Sequence, residues 1–238
     1  MGQGWYSWGT RAPDRATINR NPRWRGVRKY AIREVFGTLQ GEGAQAGTPA
    51  VFLRFAGCNL GYEVCPWCDT DWVKAEHTLP LEGTLELVRA RTREAFGAEP
   101  RGLLLVATGG EPSLQLDADL SAGLRGAGFR VSMETNGSRE VDLALVDWLT
   151  VSPKQPEYVQ RSGDELKIVY SGVAAPGPAP DVEAVRRLAA DTEFGHYFLQ
   201  PVDLPGVGPN YTETMAAVME LGPPWRLSVQ THKVLGIP

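Results

Sequence analysis

Histidine and cysteine are both scarce in this chain of 238 residues, with three of each. An odd number of cysteines argues against a disulfide framework, and so does an N-terminus without the roughly 7–15-residue apolar core of a secretory signal. No hydrophobic run approaches the roughly 18–20 residues that cross a bilayer, which excludes a helical membrane span. The histidines, His77, His196 and His232, are scattered, so there is no His-Glu-x-x-His pair of a zinc hydrolase. A Gly-x-Ser-x-Gly elbow and a Walker loop are missing too, as are internal repeats and low-complexity tracts. An overall basic balance is also lacking. The formal charge is −4, which gives no support to a nucleic-acid enzyme.

The 27 glycines and 18 prolines are abundant in a chain that is 42% hydrophobic, and they predict many sharp turns between ordered elements. Positive charge is concentrated at one end. Residues 1–29 carry seven basic side chains, Arg11, Arg15, Arg20, Arg23, Arg25, Arg28 and Lys29, against Asp14 alone. Such a stretch is either a basic arm for an anionic surface or a poorly ordered extension. Residues 30–238 then read as a single α/β domain.

All three cysteines fall in one segment, Cys58-Asn-Leu-Gly-Tyr-Glu-Val-Cys65-Pro-Trp-Cys68. Metal chemistry requires that grouping, whereas unrelated thiols would scatter. Two metal groups compete for the loop. Structural zinc wants a closed set of four protein ligands, and His77 is the histidine nearest in sequence. A [4Fe–4S] cluster held by three thiolates keeps one iron open to an outside ligand. The cysteines alone leave both open.

Short β-rich runs alternate with helical patterns from Tyr30 onward. Strands are predicted at 30–36, 50–55, 103–107, 129–134, 148–152, 165–170, 197–200 and 225–230, and helices at 84–96, 117–124, 141–146, 181–190 and 212–221. Thr84 and Asp181 suit helix N-caps, Gly97 suits a C-terminal stop, and 171–180 is a turn-rich connector. This rhythm implies a parallel sheet with right-handed crossovers, open or curled into a barrel.

Five of the predicted strands run into polar groups able to hydrogen-bond a ligand. These are Thr108-Gly109-Gly110-Glu111-Pro112, Glu134-Thr135-Asn136-Gly137, Ser152-Pro153-Lys154, Gln200-Pro201-Val202-Asp203 and Gln230-Thr231-His232-Lys233. In parallel α/β folds the carboxyl ends of the strands share one face, and that face holds the site. Paired glycines let the backbone approach a ligand, and the Glu111 carboxylate can accept from an ammonium. Glu134 reads equally as a structural carboxylate, and Lys154 as an exposed lysine. Leu39-Gln40-Gly41-Glu42-Gly43 is either a loop around a polar small molecule or a plain hairpin turn. Arg54, late in a strand, needs an anion, from a ligand carboxylate or an internal salt bridge. Asp69-Thr70-Asp71 offers oxygen donors for a hard cation such as Mg2+, or a capped turn.

Together these motifs resemble the radical S-adenosylmethionine (SAM) superfamily, and within it the 7-carboxy-7-deazaguanine synthase family. The resemblance rests on Leu39–Gly43, Arg54-Phe-Ala-Gly57-Cys58-Asn59-Leu60, Cys65-Pro-Trp-Cys68-Asp69-Thr70-Asp71, the Gly-Gly-Glu-Pro, Glu-Thr-Asn-Gly and Ser-Pro-Lys strand ends, Glu165-Leu166-Lys167, Gln200-Pro201 and the closing Arg226-Leu-Ser-Val-Gln-Thr-His-Lys. They keep the family's order from Tyr30 to Pro238. One departure is the first cysteine gap, which holds six residues rather than the superfamily's usual three; this family tolerates longer gaps.

The resemblance implies an α/β fold whose mostly parallel sheet forms a partial, open TIM-like barrel, in a cytoplasmic homodimer. It implies a [4Fe–4S] cluster on Cys58, Cys65 and Cys68, with SAM chelated at the fourth iron and gripped by Gly110, Glu111, Glu134, Ser152, Pro153, Lys154, Gln200, Pro201, Val202 and Asp203. Leu39, Gln40, Gly41, Glu42, Arg54, Thr108 and Pro238 would contact 6-carboxy-5,6,7,8-tetrahydropterin, and Thr70 would ligate Mg2+. One electron, from a donor such as a flavodoxin, would cleave SAM to a 5′-deoxyadenosyl radical that takes hydrogen from C6 of the pterin. Ring contraction with loss of ammonia would give 7-carboxy-7-deazaguanine, a precursor of queuosine-type nucleosides. No membrane or nucleic acid is needed. The competing readings are another small radical SAM protein, such as a glycyl-radical activase, and a zinc-stabilised binding module.

Overall fold

Residues 104–107, Leu-Leu-Val-Ala, are buried without interruption, because the strand that carries them is covered on both faces. The computed structural model describes residues 26–171, 181–204 and 206–238. The basic side chains before residue 26, and the connector from 172 to 180, lie outside the described residues. In chain order the main elements are β1 (Tyr30–Leu39), β2 (Pro49–Phe55), β3 (His77–Leu79), α1 (Leu81–Phe96), β4 (Leu103–Gly109), α2 (Ala118–Gly126), β5 (Phe129–Thr135), β6 (Trp148–Val151), β7 (Ser162–Tyr170), α3 (Val182–Ala189), β8 (Glu193–Pro201), α4 (Tyr211–Leu221) and β9 (Trp225–Leu227).

The strands form one nine-stranded sheet in the order β9-β8-β7-β6-β5-β4-β2-β1-β3. Every pair from β2 to β9 is parallel, while β1 runs antiparallel to both β2 and β3. The sheet ends at β9 and β3 rather than closing on itself, so the fold is an α/β partial barrel of the open, mostly parallel kind.

Strand alternation divides the sheet's two faces. Leu53, Phe55, Leu105, Ala107, Val131, Met133, Leu149, Val151, Leu166, Ile168 and Leu199 join Leu87 and Val88 of α1, Leu120 and Leu124 of α2 and Val185 of α3 in the main core. Each fully buried leucine there contributes roughly 1.5–3 kcal/mol. On the other face Ala50, Leu104 and Val106 form a small separate cluster with Phe52. The next residues along these strands, Arg54 and Thr108, are register partners. The inner face therefore passes from an apolar base to polar side chains within one alternation step.

Several boundaries differ from those predicted. The helix expected from Thr84 begins at Leu81, after an extended Pro80. Thr84 is a buried interior residue whose N–H donates to the Pro80 carbonyl at 2.9 Å. Asp117 caps α2 rather than starting it, its carboxylate accepting from Leu120 N–H at 2.9 Å. The predicted helix at 141–146 is a single 3-10 turn, Leu143–Leu145, capped by Asp142. The strand predicted to reach residue 230 stops at Leu227; Ser228 N–H makes a last ladder bond to the Leu199 carbonyl, and a short helix, Thr231–Leu235, follows. Asp181 does cap α3, and Gly97 does end α1 in the left-handed conformation. Arg28 pairs with Asp117 at 2.9 Å, which ties the end of the basic stretch to α2.

Candidate active site

The inner face opens into a cavity of about 570 Å³, within the usual range of small-molecule sites, roughly 300–1,000 Å³. Its wall is assembled from the cysteine loop, the carboxyl ends of the parallel strands, the β1–β2 connection and four residues of the closing stretch, Gln230, His232, Lys233 and Pro238.

The cysteine loop leaves β2 through Gly57. A helical turn, Gly61–Val64, follows, and Cys65 N–H donates to the Gly61 carbonyl at 3.2 Å. A second turn closes with Cys68 N–H donating to the Cys65 carbonyl at 3.0 Å. Cys58, Cys65 and Cys68 are free thiols and all line the cavity. Burial pushes the Cys65 thiol above its ordinary range, opposed by the nearby Lys154 ammonium. Among the described residues, no three histidine, cysteine or carboxylate side chains gather as ligands of a single ion. A [4Fe–4S] cluster asks for a different arrangement, with each thiolate on its own iron. Three thiols free of disulfides along one cavity wall fit that demand.

The loop is braced from behind. Gly110 packs so closely against it that a Cβ there would meet the Gly57 carbonyl oxygen at 2.0 Å. Glu111 N–H donates to the same carbonyl at 2.9 Å. The Glu111 carboxylate is fully buried, not on the cavity wall, and accepts from Ser113 N–H at 2.9 Å, Thr135 Oγ1 at 2.6 Å and Asn136 N–H at 2.8 Å. Asn136 in turn donates to the Asn59 side chain at 3.2 Å, one residue beyond Cys58.

Asp69, Thr70 and Asp71 line the cavity just after the loop. Lys233 bridges Asp69 at 2.7 Å and Asp203 at 2.9 Å, and Arg33 holds Asp71 at 2.6 Å. Both carboxylates flanking Thr70 are thus tied down by cations.

The polar floor centres on Lys167 of β7, which is 3% exposed. Its Nζ donates to Glu42 Oε2 and, at 2.9 Å, to Glu134 Oε2. Gln230 donates to Glu42 Oε1 and Gln40 to Glu134 Oε1, both at 2.8 Å. Burial alone would raise the Glu42 carboxyl, but the Lys167 charge and the hydrogen bonds from Lys167 and Gln230 bring it down to about 2. Burial would lower Lys167, yet Glu134, Glu42 and Glu165 together hold it above the ordinary lysine value. Glu165, on the same face of β7, is raised by burial and accepts from Ala44 N–H at 2.8 Å. Gly43 is required beside it, with φ +65° and the Glu165 carboxylate where a Cβ would sit.

Lys154 Nζ donates to Ser152 Oγ at 2.7 Å, and both residues line the cavity. Burial, reinforced by the Lys167 charge, pushes Lys154 below the ordinary lysine range. Arg54 gives its Nε to Glu34 at 2.8 Å and lies over the Phe36 ring, which stacks on Phe52 at 5.2 Å. Among the described residues, its terminal nitrogens have no carboxylate partner. Leu39, Gly41, Thr108, Gly110, Gln200, Pro201, Val202 and Asp203 also line the cavity, as does Pro238, whose carbonyl oxygen accepts from Thr38 Oγ1 at 2.8 Å.

Of the residues given a cluster, SAM, substrate or metal role from the resemblance, Glu111 and Pro153 stand off the wall. Gln230 and Lys233, read in the sequence only as polar groups at a strand end, line the site, and so does Lys167, for which no role was read. A signal for Lys167 existed. Glu165 and Lys167 alternate with Leu166 and Ile168, which marks a strand with one charged, inward face.

No family model matches the chain. Comparison with known proteins does find relatives. The 7-carboxy-7-deazaguanine synthase of Caulobacter vibrioides is 43% identical over 219 residues, covering 88% of this chain and 99% of that one. The synthase of Bradyrhizobium diazoefficiens is 44% identical over 219 residues, with 87% and 99% covered. Among solved structures, the crystal structure of QueE from Escherichia coli superposes with a TM-score of 0.62 at 28% identity, covering 89% of this chain and 98% of that one. With identity above 40% over nearly nine-tenths of its length, the chain belongs to the 7-carboxy-7-deazaguanine synthase family of radical SAM enzymes.

Proposed function

We propose that this protein converts 6-carboxy-5,6,7,8-tetrahydropterin to 7-carboxy-7-deazaguanine, with ring contraction and loss of ammonia, in the synthesis of queuosine-type 7-deazapurines. The observation that carries this reading is the shared wall: three free thiols, a charged acceptor floor and Arg54 all face one cavity. A bicyclic substrate with a carboxylate at one end and N–H donors at the other needs those complementary groups.

Cys58, Cys65 and Cys68 hold a [4Fe–4S] cluster, which with bound SAM supplies one-electron cleavage of SAM and a carbon radical able to take hydrogen from the substrate. Gly110, Glu134, Ser152, Lys154 and the stretch Gln200, Pro201, Val202 and Asp203 grip SAM. Glu111 and Pro153 act from behind that surface. Leu39, Gln40, Gly41, Glu42, Thr108 and Pro238 hold the pterin, with Arg54 on its carboxylate. Thr70 ligates Mg2+, supported by its position in the cavity between two restrained aspartates. Enclosure is part of the chemistry, since a carbon radical must meet only its target.

Residues 30–238 act as one catalytic unit, supported by the contact between Thr38 in β1 and Pro238, with 1–29 as a basic extension. Three thiols without a disulfide suit a reducing cytoplasm. The electron comes from a donor such as a flavodoxin, and the enzyme works as a homodimer.

Anaerobic reconstitution with iron, sulfide, SAM, Mg2+ and the carboxytetrahydropterin tests the reading, with products identified by mass spectrometry. Wild-type protein should release 7-carboxy-7-deazaguanine and 5′-deoxyadenosine. Lack of both from cluster-loaded protein would reject the assignment. Cys68→Ala should remain folded and lose SAM cleavage.

A further inference from the structure

A lysine ammonium that is 3% exposed is stable only when anions surround it. Lys167 meets that condition in an unusual way, by joining three separate segments at one atom. Glu42 comes from the β1–β2 connection, Glu134 from the end of β5, and Nζ from the middle of β7. The outer carboxylate oxygens are held by Gln230 and Gln40, and the Gln40 side-chain oxygen Oε1 accepts from Glu42 N–H at 3.1 Å. The result is a continuous chain, Gln230–Glu42–Lys167–Glu134–Gln40, and all five residues line the cavity.

Each carboxylate oxygen has two acceptor directions, and each here uses one on a protein donor. What remains facing the cavity is an acceptor edge. The ligand chemistry that matches it is a set of ring and exocyclic N–H groups, such as the amino-pyrimidine end of a pterin. We infer that Lys167 is a positioning residue, which clamps Glu42 against the SAM-side carboxylate Glu134 so that Glu42 receives the N–H edge of the substrate. The inference rests on the pterin reading above and deepens it.

Charge around the clamp agrees with the geometry. Glu42, Glu134 and Glu165 all face Lys167, Lys154 lies near enough to oppose its charge, and His232 lies near Glu42. The Glu42 carboxyl is held down chiefly by the Lys167 ammonium against its own burial. Removing that ammonium leaves burial to act, so the carboxyl rises and protonates at higher pH. A protonated carboxyl then offers a donor where the substrate also offers one.

Reconstituted holoenzyme carrying Lys167→Met or Lys167→Arg tests this. Lys167→Met should raise the KM for the pterin by about tenfold or more and weaken SAM binding by a smaller factor, since Glu134 loses the same partner. It should also bring an acidic limb of kcat/KM into the range between about pH 5 and 8. Lys167→Arg, which keeps the charge, should leave that limb where it is in the wild type while raising KM by a smaller factor. Wild-type KM and an unshifted limb in Lys167→Met would overturn the inference. If Lys167→Met does not fold, Lys167→Arg decides: a limb that moves upward although the charge is retained refutes the clamp. Wild-type enzyme that forms no product from the pterin would instead defeat the underlying functional reading.

Discussion

The Glu111 carboxylate accepts the backbone N–H of Asn136 at 2.8 Å, which locks the turn after β4 to the turn after β5 beneath the cysteine loop. Because three donors converge on that carboxylate, exchanging one oxygen for an amide places donor against donor. Glu111→Gln should therefore cost about 1–3 kcal/mol of stability. Denaturant titration of the apo-protein checks this, and an unchanged midpoint would contradict the bracing role.

Gly110 leaves no room for a methyl group against the Gly57 carbonyl. Gly110→Ala must displace the start of the cysteine loop, since the obstructing atom is backbone. The expected outcome is a folded protein with reduced iron content after reconstitution and weakened SAM binding. Iron analysis beside calorimetric SAM titration would measure both.

Acid should weaken the fold through Glu42. Its carboxyl is held at about 2 in the folded protein against an ordinary value of 4.5. A carboxyl lowered by folding contributes stability that is complete above its unfolded value and is lost as pH falls through the folded one. The urea midpoint of apo-protein should thus fall as pH drops below about 4.5, and Glu42→Gln should flatten that part of the slope. Parallel slopes in the two proteins would exclude Glu42 as the source.

Lys233 joins the cysteine loop to the stretch after β8 through Asp69 and Asp203. The pairs are partly exposed, so their net contribution to stability is small, about 1 kcal/mol or less. Lys233→Met should leave thermal stability nearly unchanged yet weaken SAM binding, as both partners lose their common anchor. Equal SAM affinity in the two proteins would confine Lys233 to the surface.

Legibility in the sequence followed the length of the signal. β4 was readable because five apolar residues run straight into Thr108-Gly109-Gly110. Asp181 and Gly97 were readable because caps use local chemistry. β3 and the turn Gly61–Val64 were not, since three or four residues carry no period. Thr84 looked like a cap by residue type, but Leu81 and Leu85 both pack against the core and draw the helix start earlier. Glu111 looked like a ligand group because it follows two glycines. The turn folds its carboxylate back under the loop, which no linear pattern records. Lys167 belonged to a recognisable Glu-Leu-Lys run, yet its importance appears only when Glu42, 125 positions earlier, arrives beside it.

Gln230 donates to Glu42, Thr231 donates to the Gly41 carbonyl and Gly43 N–H donates to Ser228 Oγ, and these bonds stitch the stretch beyond β9 onto the first hairpin of the sheet. During synthesis the ribosome delivers that stretch after every other part of the wall. A nascent chain would thus carry its thiols on an unfinished rim until the closing stretch has docked.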